Sequence, residues 1–172
     1  MTTGRTLAGA ATALTATVAV HIALVAFGNI TDFGTNQEFV RHVLAMDTTF
    51  EDPDLMWRAI TDRTLQDAVY VAVIVWETVA ALVLLAATAL WLRALARRSG
   101  YGPARRLTTA GLVMLLLLFG LGFLAIGGEW FAMWQSTKWN GLQAATRNVL
   151  LAGLTLLLVQ LPSPQWHGRD IH

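Results

Sequence analysis

The chain has 172 residues, of which 55% are hydrophobic and 13% charged, with a mean hydropathy of +0.53 and a formal net charge of +1. This composition is too apolar for an ordinary soluble domain of that length. Cysteine is absent, which excludes disulfide exchange, thiolate catalysis and cysteine metal sites.

Four stretches of mostly apolar residues follow one another along the chain. They are 7–27, 68–92, 107–126 and 142–161. Each is about the length that crosses a ~30 Å hydrocarbon core as a helix, at about 1.5 Å per residue. Since only helices and closed barrels hide their backbone polar groups in lipid, the pattern predicts an all-α, four-helix transmembrane bundle, a single domain over 1–161.

The first of these stretches follows Arg5 and has some features of a signal peptide. Its apolar run is longer than the roughly 7 to 15 residues of a usual h-region, and no A-x-A cleavage site closes it before Asn29. We therefore expect the first span to stay attached.

The connection between the first and second spans, 29–67, has signs of folded structure. Thr35–Glu38 has the form of a capping box, and apolar residues then recur at helical spacing through Met46. Thr64–Asp67 is a second capping box where the second span must begin. The pattern predicts a lid that contains a short amphipathic helix.

The arginines predict the orientation. Five of them fall in the short connection between the second and third spans, namely Arg93, Arg97, Arg98, Arg105 and Arg106. By the positive-inside rule this connection is cytoplasmic, so both termini are also cytoplasmic and the lid faces outward. The lid is acidic, which argues against a nucleic-acid or anionic-lipid partner on that side. The polar tail, 162–172, has a composition typical of disorder.

Four ionisable residues lie inside or at the ends of the spans, all in the predicted outer half: His21, Glu77, Glu129 and Arg147. A charge at the bilayer centre costs about 2.5 to 3.5 kcal/mol on insertion scales, so each needs a partner, water or a route to the interface. We expect a shared buried network or a cavity under the lid. Three interpretations of Glu77 are open. It forms a structural ion pair with Arg147, it is a ligand or proton site, or it is a neutral acid that is hydrogen-bonded to His21. The plainer alternatives are that His21 is a satisfied core histidine and that Glu129 and Arg147 are interfacial.

A metal site would have to combine His21, His42, Met46, Glu77 and Glu129, whose side chains suit copper or iron. No ligand spacing supports it. No Ser or Thr lies in a nucleophile elbow either, and we expect no metal, no cofactor and no enzymatic activity.

Aromatic residues mark the two predicted interfaces. Trp130, Phe131, Trp134 and Trp139 lie at the outer interface, and Trp91, Tyr101 and Trp166 lie at the inner one. The outer segment is denser in Trp and amides than anchoring requires, so it is also a candidate for holding a polar headgroup. The candidate headgroup or lid contacts are Arg41, His42, Asp47, Trp57, Arg58, Trp130, Trp134, Gln135, Trp139 and Asn140.

Several of these segments together resemble one known family. Phe39–Phe50, Met56–Ile60, the pair Trp76 and Glu77, and Gly128–Gly141 are similar to the bacterial predicted small integral membrane proteins called domain of unknown function 2165. The resemblance covers nearly the whole chain. It implies four spans, an inner-membrane setting and a pattern centred on the outward loops and Glu77, and it supplies no catalytic residue.

Three hypotheses for function follow. The first is a non-enzymatic accessory or assembly subunit of a larger membrane complex or a homo-oligomer, held in the lipid bilayer of the bacterial inner membrane. The second is a small transporter or binding protein that admits a polar solute from the outer face to Glu77 and Arg147. The third is a membrane enzyme that acts on a lipid or quinone.

Overall fold

The fold is a helical bundle. In a computed structural model, which describes residues 6–97 and 99–167, the chain forms five helices and, within those ranges, no strand. Four are long and apolar enough to cross a membrane: α1 (Thr6–Thr31), α3 (Arg63–Arg97), α4 (Gly102–Trp130) and α5 (Leu142–Gln160). The shorter α2 (Phe33–Ala45) lies between the first two. The prediction of an all-α, four-span bundle with a short helix in the first connection is confirmed.

The four long helices expose most of their apolar surface. Only 22 to 39% of the residues in the apolar window of each are buried in the protein. Leucine and valine predominate among the large exposed side chains, as on Leu24, Leu82, Leu121 and Leu157. Such a surface is stable in hydrocarbon and unfavourable in water, which agrees with four membrane-spanning helices.

The helices pack in the order α1, α3, α4, α5 around the bundle. Contacts are most extensive between α1 and α3 and between α3 and α4, whereas α5 packs on α4 and only sparsely on α1. The central core contains many small residues, such as Ala19, Ala80, Ala81 and Ala152, which let neighbouring backbones approach closely. The gap between α1 and α5 is therefore the least filled side of the bundle.

Helix α4 changes its winding halfway. It is α-helical through Leu115 and continues as a wider π-helix over Leu116–Trp130, and the amide of Phe131 still bonds the carbonyl of Ile126 at 3.0 Å. π-Helical turns are frequent near functional sites because they redirect side chains. Here they border the lid end of the bundle, the end at which α2 lies.

Both predicted capping boxes are wrong. Helix α2 begins at Phe33, and Glu38 pairs with Arg41 instead of returning to the helix start. Helix α3 is capped by Asp62, whose Oδ1 accepts a hydrogen bond from the amide of Leu65 at 2.8 Å. The observed caps, Asp32 and Asp62, thus precede the predicted caps, Thr35 and Thr64, by three and two residues.

The opposite end of the bundle, here the arginine-rich end, contains a compact aromatic cluster. The rings of Trp91, Tyr101 and Trp166 lie 5.4 to 6.3 Å apart between centroids, and all three are buried. The three residues thus lie together at one end of the bundle, as predicted, but they pack on one another and do not form a lipid-exposed anchoring belt. The expectation of disorder in the tail is wrong for 162–167, because the turn Pro164–His167 places Trp166 in this cluster. The rest of that expectation, 168–172, lies outside the described residues.

Candidate functional site

A cavity of about 480 Å³ lies between the helices at the lid end of the bundle. It is lined by α1, α2, α3, α4 and α5, and its polar lining residues include His21, Asn29, Glu77, Arg147 and Asn148. Leu24, Val25, Val40, Phe119 and Phe123 supply apolar walls. We call this space the polar cavity. It places three of the four predicted ionisable residues around one volume.

Glu77 is the most buried carboxyl side chain of the polar cavity, at 2% exposure. Its Oε2 accepts a hydrogen bond from Nδ2 of Asn29 at 2.6 Å. Oδ1 of Asn29 in turn accepts from Nδ2 of Asn36, on α2, at 2.7 Å. The hydroxyl of Tyr70 donates to the backbone carbonyl of Asn29 at 3.2 Å. This relay orients Asn29 so that its amide donates toward the carboxyl group.

The hydrogen bond from Asn29 reaches only Oε2 of Glu77, and no described residue donates to the second carboxyl oxygen, Oε1. It is also not closed off from the cavity, because Glu77 lines that space. A buried carboxylate normally satisfies both oxygens, since desolvation without compensation is costly. Glu77 therefore has an oxygen free to accept a hydrogen bond from a group bound in the polar cavity.

The expected ion pair between Glu77 and Arg147 is not formed. Within the described part of the chain, Arg147 makes neither a hydrogen bond nor an ion pair, and its side chain is exposed where α5 borders the cavity. The expected bond between His21 and Glu77 is also absent. His21 Nε2 instead pairs with Oδ1 of Asn148 at 2.8 Å, across the gap between α1 and α5. Glu77 and Arg147 thus lie on one cavity without pairing, and Asp32 also lines it.

Glu129 does not belong to this group. It is exposed and borders a different, more open space at the end of α4, together with Arg58 and Trp130. The prediction that all four ionisable residues share one network is therefore wrong for Glu129. An exposed position at the end of a helix is what the alternative, an interfacial Glu129, predicts.

Three of the candidate contact residues, Arg41, His42 and Asp47, hold α2 in place, either on α3 or at the C-terminal end of α2. Arg41 binds Asp67 of α3 through two hydrogen bonds of 2.9 Å, Nε to Oδ1 and Nη2 to Oδ2, and also binds Glu38. Hydrogen bonding to Asp67, and then to Glu38, raises the pKa of Arg41 above its ordinary value. His42 pairs with Asp47 at 2.8 Å. These residues position the roof of the polar cavity without lining it.

The other candidate contacts form the outer surface of the lid end. The rings of Trp57 and Trp130 meet edge to face at 5.5 Å, with the guanidinium of Arg58 over both. Trp134 meets Phe50 in the same manner at 5.9 Å.

The remaining three join the last loop to the lid or to α5. Gln135 accepts from the amide of Phe50 at 2.9 Å, and the ring of Trp139 stacks on that of His42 at 4.8 Å. Oδ1 of Asn140 accepts from the amide of Leu142, at the start of α5, at 3.1 Å. None of these candidates lines the polar cavity.

Five polar lining residues were not among the predicted site residues: Asn29, Asp32, Asn36, Tyr70 and Asn148. A signal for two of them was present. Asn29 is eight residues after His21 and lies on the same helix stripe, and Asn148 directly follows Arg147. Neutral amides cost less in a membrane than charges, so a search restricted to ionisable residues passes over them.

No group of three or more His, Asp or Glu side chains is placed to hold a metal ion within the described ranges. His42 and Met46, two members of the metal set considered from sequence, belong to the lid and do not line the polar cavity. The donors that do line it are the carboxyl groups of Glu77 and Asp32, one imidazole already bonded to Asn148, the hydroxyl of Tyr70, and amides. This set suits hydrogen bonding to an organic polar group.

Comparison with known proteins supplies a family. The family model described as predicted small integral membrane protein, domain of unknown function 2165, matches residues 7–162. The chain belongs to this family. The resemblance noted from the lid and the last loop is thereby confirmed, and the family is one of integral membrane proteins of unknown function. No curated protein and no solved structure matches the chain.

Proposed function

We propose that this protein is a small binding protein of the bacterial inner membrane, which takes a polar group of a small molecule into the polar cavity. One observation supports this above the other hypotheses: Glu77 is almost fully buried on the cavity wall, with one carboxyl oxygen bonded to Asn29 and the other unpartnered. A bound donor would offset the desolvation of that oxygen, and such compensation is a source of binding affinity.

The lid end is proposed to face outward. Arg93, Arg97, Arg105 and Arg106 all lie at the opposite end, and clustered arginines in a short loop favour the cytoplasmic side. Because the chain lacks cysteine, single-cysteine variants report orientation cleanly. Asp54→Cys in the exposed lid should react with a membrane-impermeant maleimide in intact spheroplasts, and Ser99→Cys should react only after lysis. The reverse pattern would invert the orientation.

The first test asks whether the polar cavity contains water. Val25 lines the cavity, whereas Val20, on the same helix, is 52% exposed on the lipid-facing side. Val25→Cys should react with 2-aminoethyl methanethiosulfonate, since that reagent modifies the thiolate that forms in water. Val20→Cys is the matched control and should stay unmodified. Equal inertness of both thiols would mean that the cavity is closed to polar solutes.

The second test asks whether Glu77 binds. Purified protein is screened by thermal unfolding against water-soluble amines, amino acids and other polar metabolites, with Glu77→Gln and the matched control Glu129→Gln. A ligand that binds only the folded state at 100 times its Kd adds about 2.7 kcal/mol. The expected result is a rise in Tm for wild type and Glu129→Gln that Glu77→Gln lacks. A screen in which Glu77→Gln responds like wild type would contradict the proposal.

An accessory-subunit function is the second candidate, and the exposed aromatic surface of the lid end favours it. Phe50, Trp57, Trp130 and Trp134 are 45 to 71% exposed. Exposed Trp and Phe side chains are enriched where proteins dock. Native mass spectrometry from a mild detergent would detect a stoichiometric partner, and its loss in Trp57→Ala and Trp134→Ala would support docking. A monomer in lipid that binds solutes would exclude an obligate partner.

A further inference from the structure

Arg147 and Glu77 lie at different depths of the polar cavity. Arg147 is exposed at the edge of the cavity, while Glu77 is at 2% exposure on the wall. Neither contacts the other, and Arg147 has no anionic partner in the described ranges. Asp32, just after α1, is exposed and also lines the cavity. A molecule that enters through the gap between α1 and α5 meets Arg147 before it reaches Glu77.

The mouth itself opens sideways toward lipid. The exposed lining residues Leu24 of α1 and Arg147 of α5 border the gap between these two helices. Along α1 the same exposed surface includes Val20, and along α5 it includes Leu151 and Leu154. Large aliphatic side chains on a spanning helix face acyl chains, so a lipid in the adjacent leaflet can place its headgroup at this mouth without leaving the membrane.

Above the mouth the cavity is roofed. Asn36, Phe39 and Val40 of α2 line it, and α2 is held on α3 by the paired hydrogen bonds of Arg41 to Asp67. An apolar group is thus favoured at the lateral side, and a polar group is favoured at the inner wall near Glu77 and Asn29. The cavity has the polarity of an amphiphile that enters head first.

From this order we infer that the polar cavity binds a headgroup in which a phosphate is followed by a primary ammonium, as in a phosphoethanolamine lipid of the outward leaflet. The phosphate pairs with Arg147 at the mouth, and the ammonium donates to Oε1 of Glu77. The acyl chains stay outside, along the aliphatic surfaces of α1 and α5. This assignment of the ligand rests on the proposed binding function.

Charge complementarity selects among lipids. Guanidinium and phosphate form charge-assisted hydrogen bonds, and so do ammonium and carboxylate. A phosphoglycerol headgroup satisfies Arg147 but brings no cation to Glu77. It should therefore bind at least about tenfold more weakly, the ratio that one charge-assisted hydrogen bond of about 1.4 kcal/mol provides.

The test is native mass spectrometry of delipidated protein titrated with two lipids that have the same acyl chains, palmitoyl-oleoyl phosphatidylethanolamine and palmitoyl-oleoyl phosphatidylglycerol. Wild type should bind the ethanolamine lipid at least about tenfold more tightly. This comparison needs no variant, so it stands even if a substitution prevents folding. Equal affinity, or tighter binding of the glycerol lipid, would overturn the inference.

Variants then separate the two charges. Glu77→Gln should abolish the preference by weakening only the ethanolamine lipid. Arg147→Gln should weaken both lipids by a similar factor, since both contain phosphate. The matched controls Glu129→Gln and Arg106→Gln, whose side chains lie outside the cavity, should behave like wild type. A preference that survives in Glu77→Gln would also overturn the inference.

A soluble source of the same headgroup is distinguished in a competition arm. Glycerophosphoethanolamine lacks the acyl chains that keep the lipid in the micelle beside the mouth, so it should displace the lipid only at concentrations at least about 100-fold higher. Displacement at equal concentration would mean that the ligand comes from water. If neither lipid binds selectively, yet another solute still stabilises wild type and not Glu77→Gln, this inference fails while the proposed function stands.

Discussion

Gly111 lies where α4 packs tightly on α3, and adding one methyl group there tests the packing of the bundle. A Cβ at Gly111 would be 2.6 Å from Cγ and 2.7 Å from Cδ2 of Leu84, and 3.2 Å from Cγ1 of Val83. Leu84 is fully buried, and Cγ is its branching atom, so rotation of a flexible end cannot relieve the contact. Overpacking of this kind costs about 1 to 3 kcal/mol.

Alanine also gains up to about 1 kcal/mol over glycine within a helix, which opposes the clash. Gly153, on α5, separates the two effects, because a Cβ there meets nothing within 4 Å. Gly153→Ala should therefore be neutral or stabilising. Since the helix propensity gain is common to both substitutions, Gly111→Ala should be less stable than Gly153→Ala by about 1 to 3 kcal/mol.

The free energies of unfolding are compared by titration with sodium dodecyl sulfate in mixed micelles, followed by the circular dichroism of the helices. The two variants and the wild type are measured at one protein concentration in the same mild detergent. Equal stability of Gly111→Ala and Gly153→Ala would refute the close approach of α3 and α4, and with it the helix order around the polar cavity.

Three further predictions concern the core, the tail and the lid. Thr108→Val should lower the free energy of unfolding by about 1 to 3 kcal/mol, because the buried Nε1 donor of Trp91 loses its 2.9 Å hydrogen bond to Thr108. Thr146→Val, at an exposed position, is the control and should change the free energy of unfolding by less than about 0.5 kcal/mol. Trp166→Ala should lower the free energy of unfolding by about 3 to 5 kcal/mol in the same titration, since residue 166 is only 5% exposed. An unchanged free energy of unfolding would instead support a disordered tail. Thr48→Cys combined with Ser136→Cys should form a disulfide on mild oxidation, detected by intact mass, since the two hydroxyl oxygens are 2.9 Å apart; a thiol pair that stays reduced would show that the lid is not held against the last loop.

The polar cavity could be foreseen only in part. The sequence alone identified His21, Glu77 and Arg147, because an ionisable side chain within an apolar span is energetically unfavourable whichever way the helix is rotated. Which group each one meets depends on how far every helix is rotated, and the sequence of one helix does not contain that angle. Glu77 therefore pairs with Asn29 rather than with a charged partner, and Glu129 lies outside the cavity.

The positions of the aromatic residues could also be predicted only in part. Trp at the end of an apolar stretch favours an interface on statistical grounds, and Trp130 and Trp134 are indeed exposed at the lid end. At the other end, Trp91 and Trp166 are buried against each other because the chain after α5 turns back over the bundle. This burial could not be predicted from local sequence, since it depends on contacts between residues that are far apart along the chain.

The amino-acid sequence by itself determined the four spans, the lid helix and the family, because apolar length and helical period are local properties that the bilayer converts directly into helices. Only the tertiary structure decided that α1 and α5 leave a lateral gap, that Asn29 and Asn36 form a relay to Glu77, and that Arg147 lies unpaired at the mouth. Helices of similar hydrophobicity can pack in several orders and rotations. The choice among them depends on small residues and side-chain shapes on different helices, which act together only once the bundle has formed.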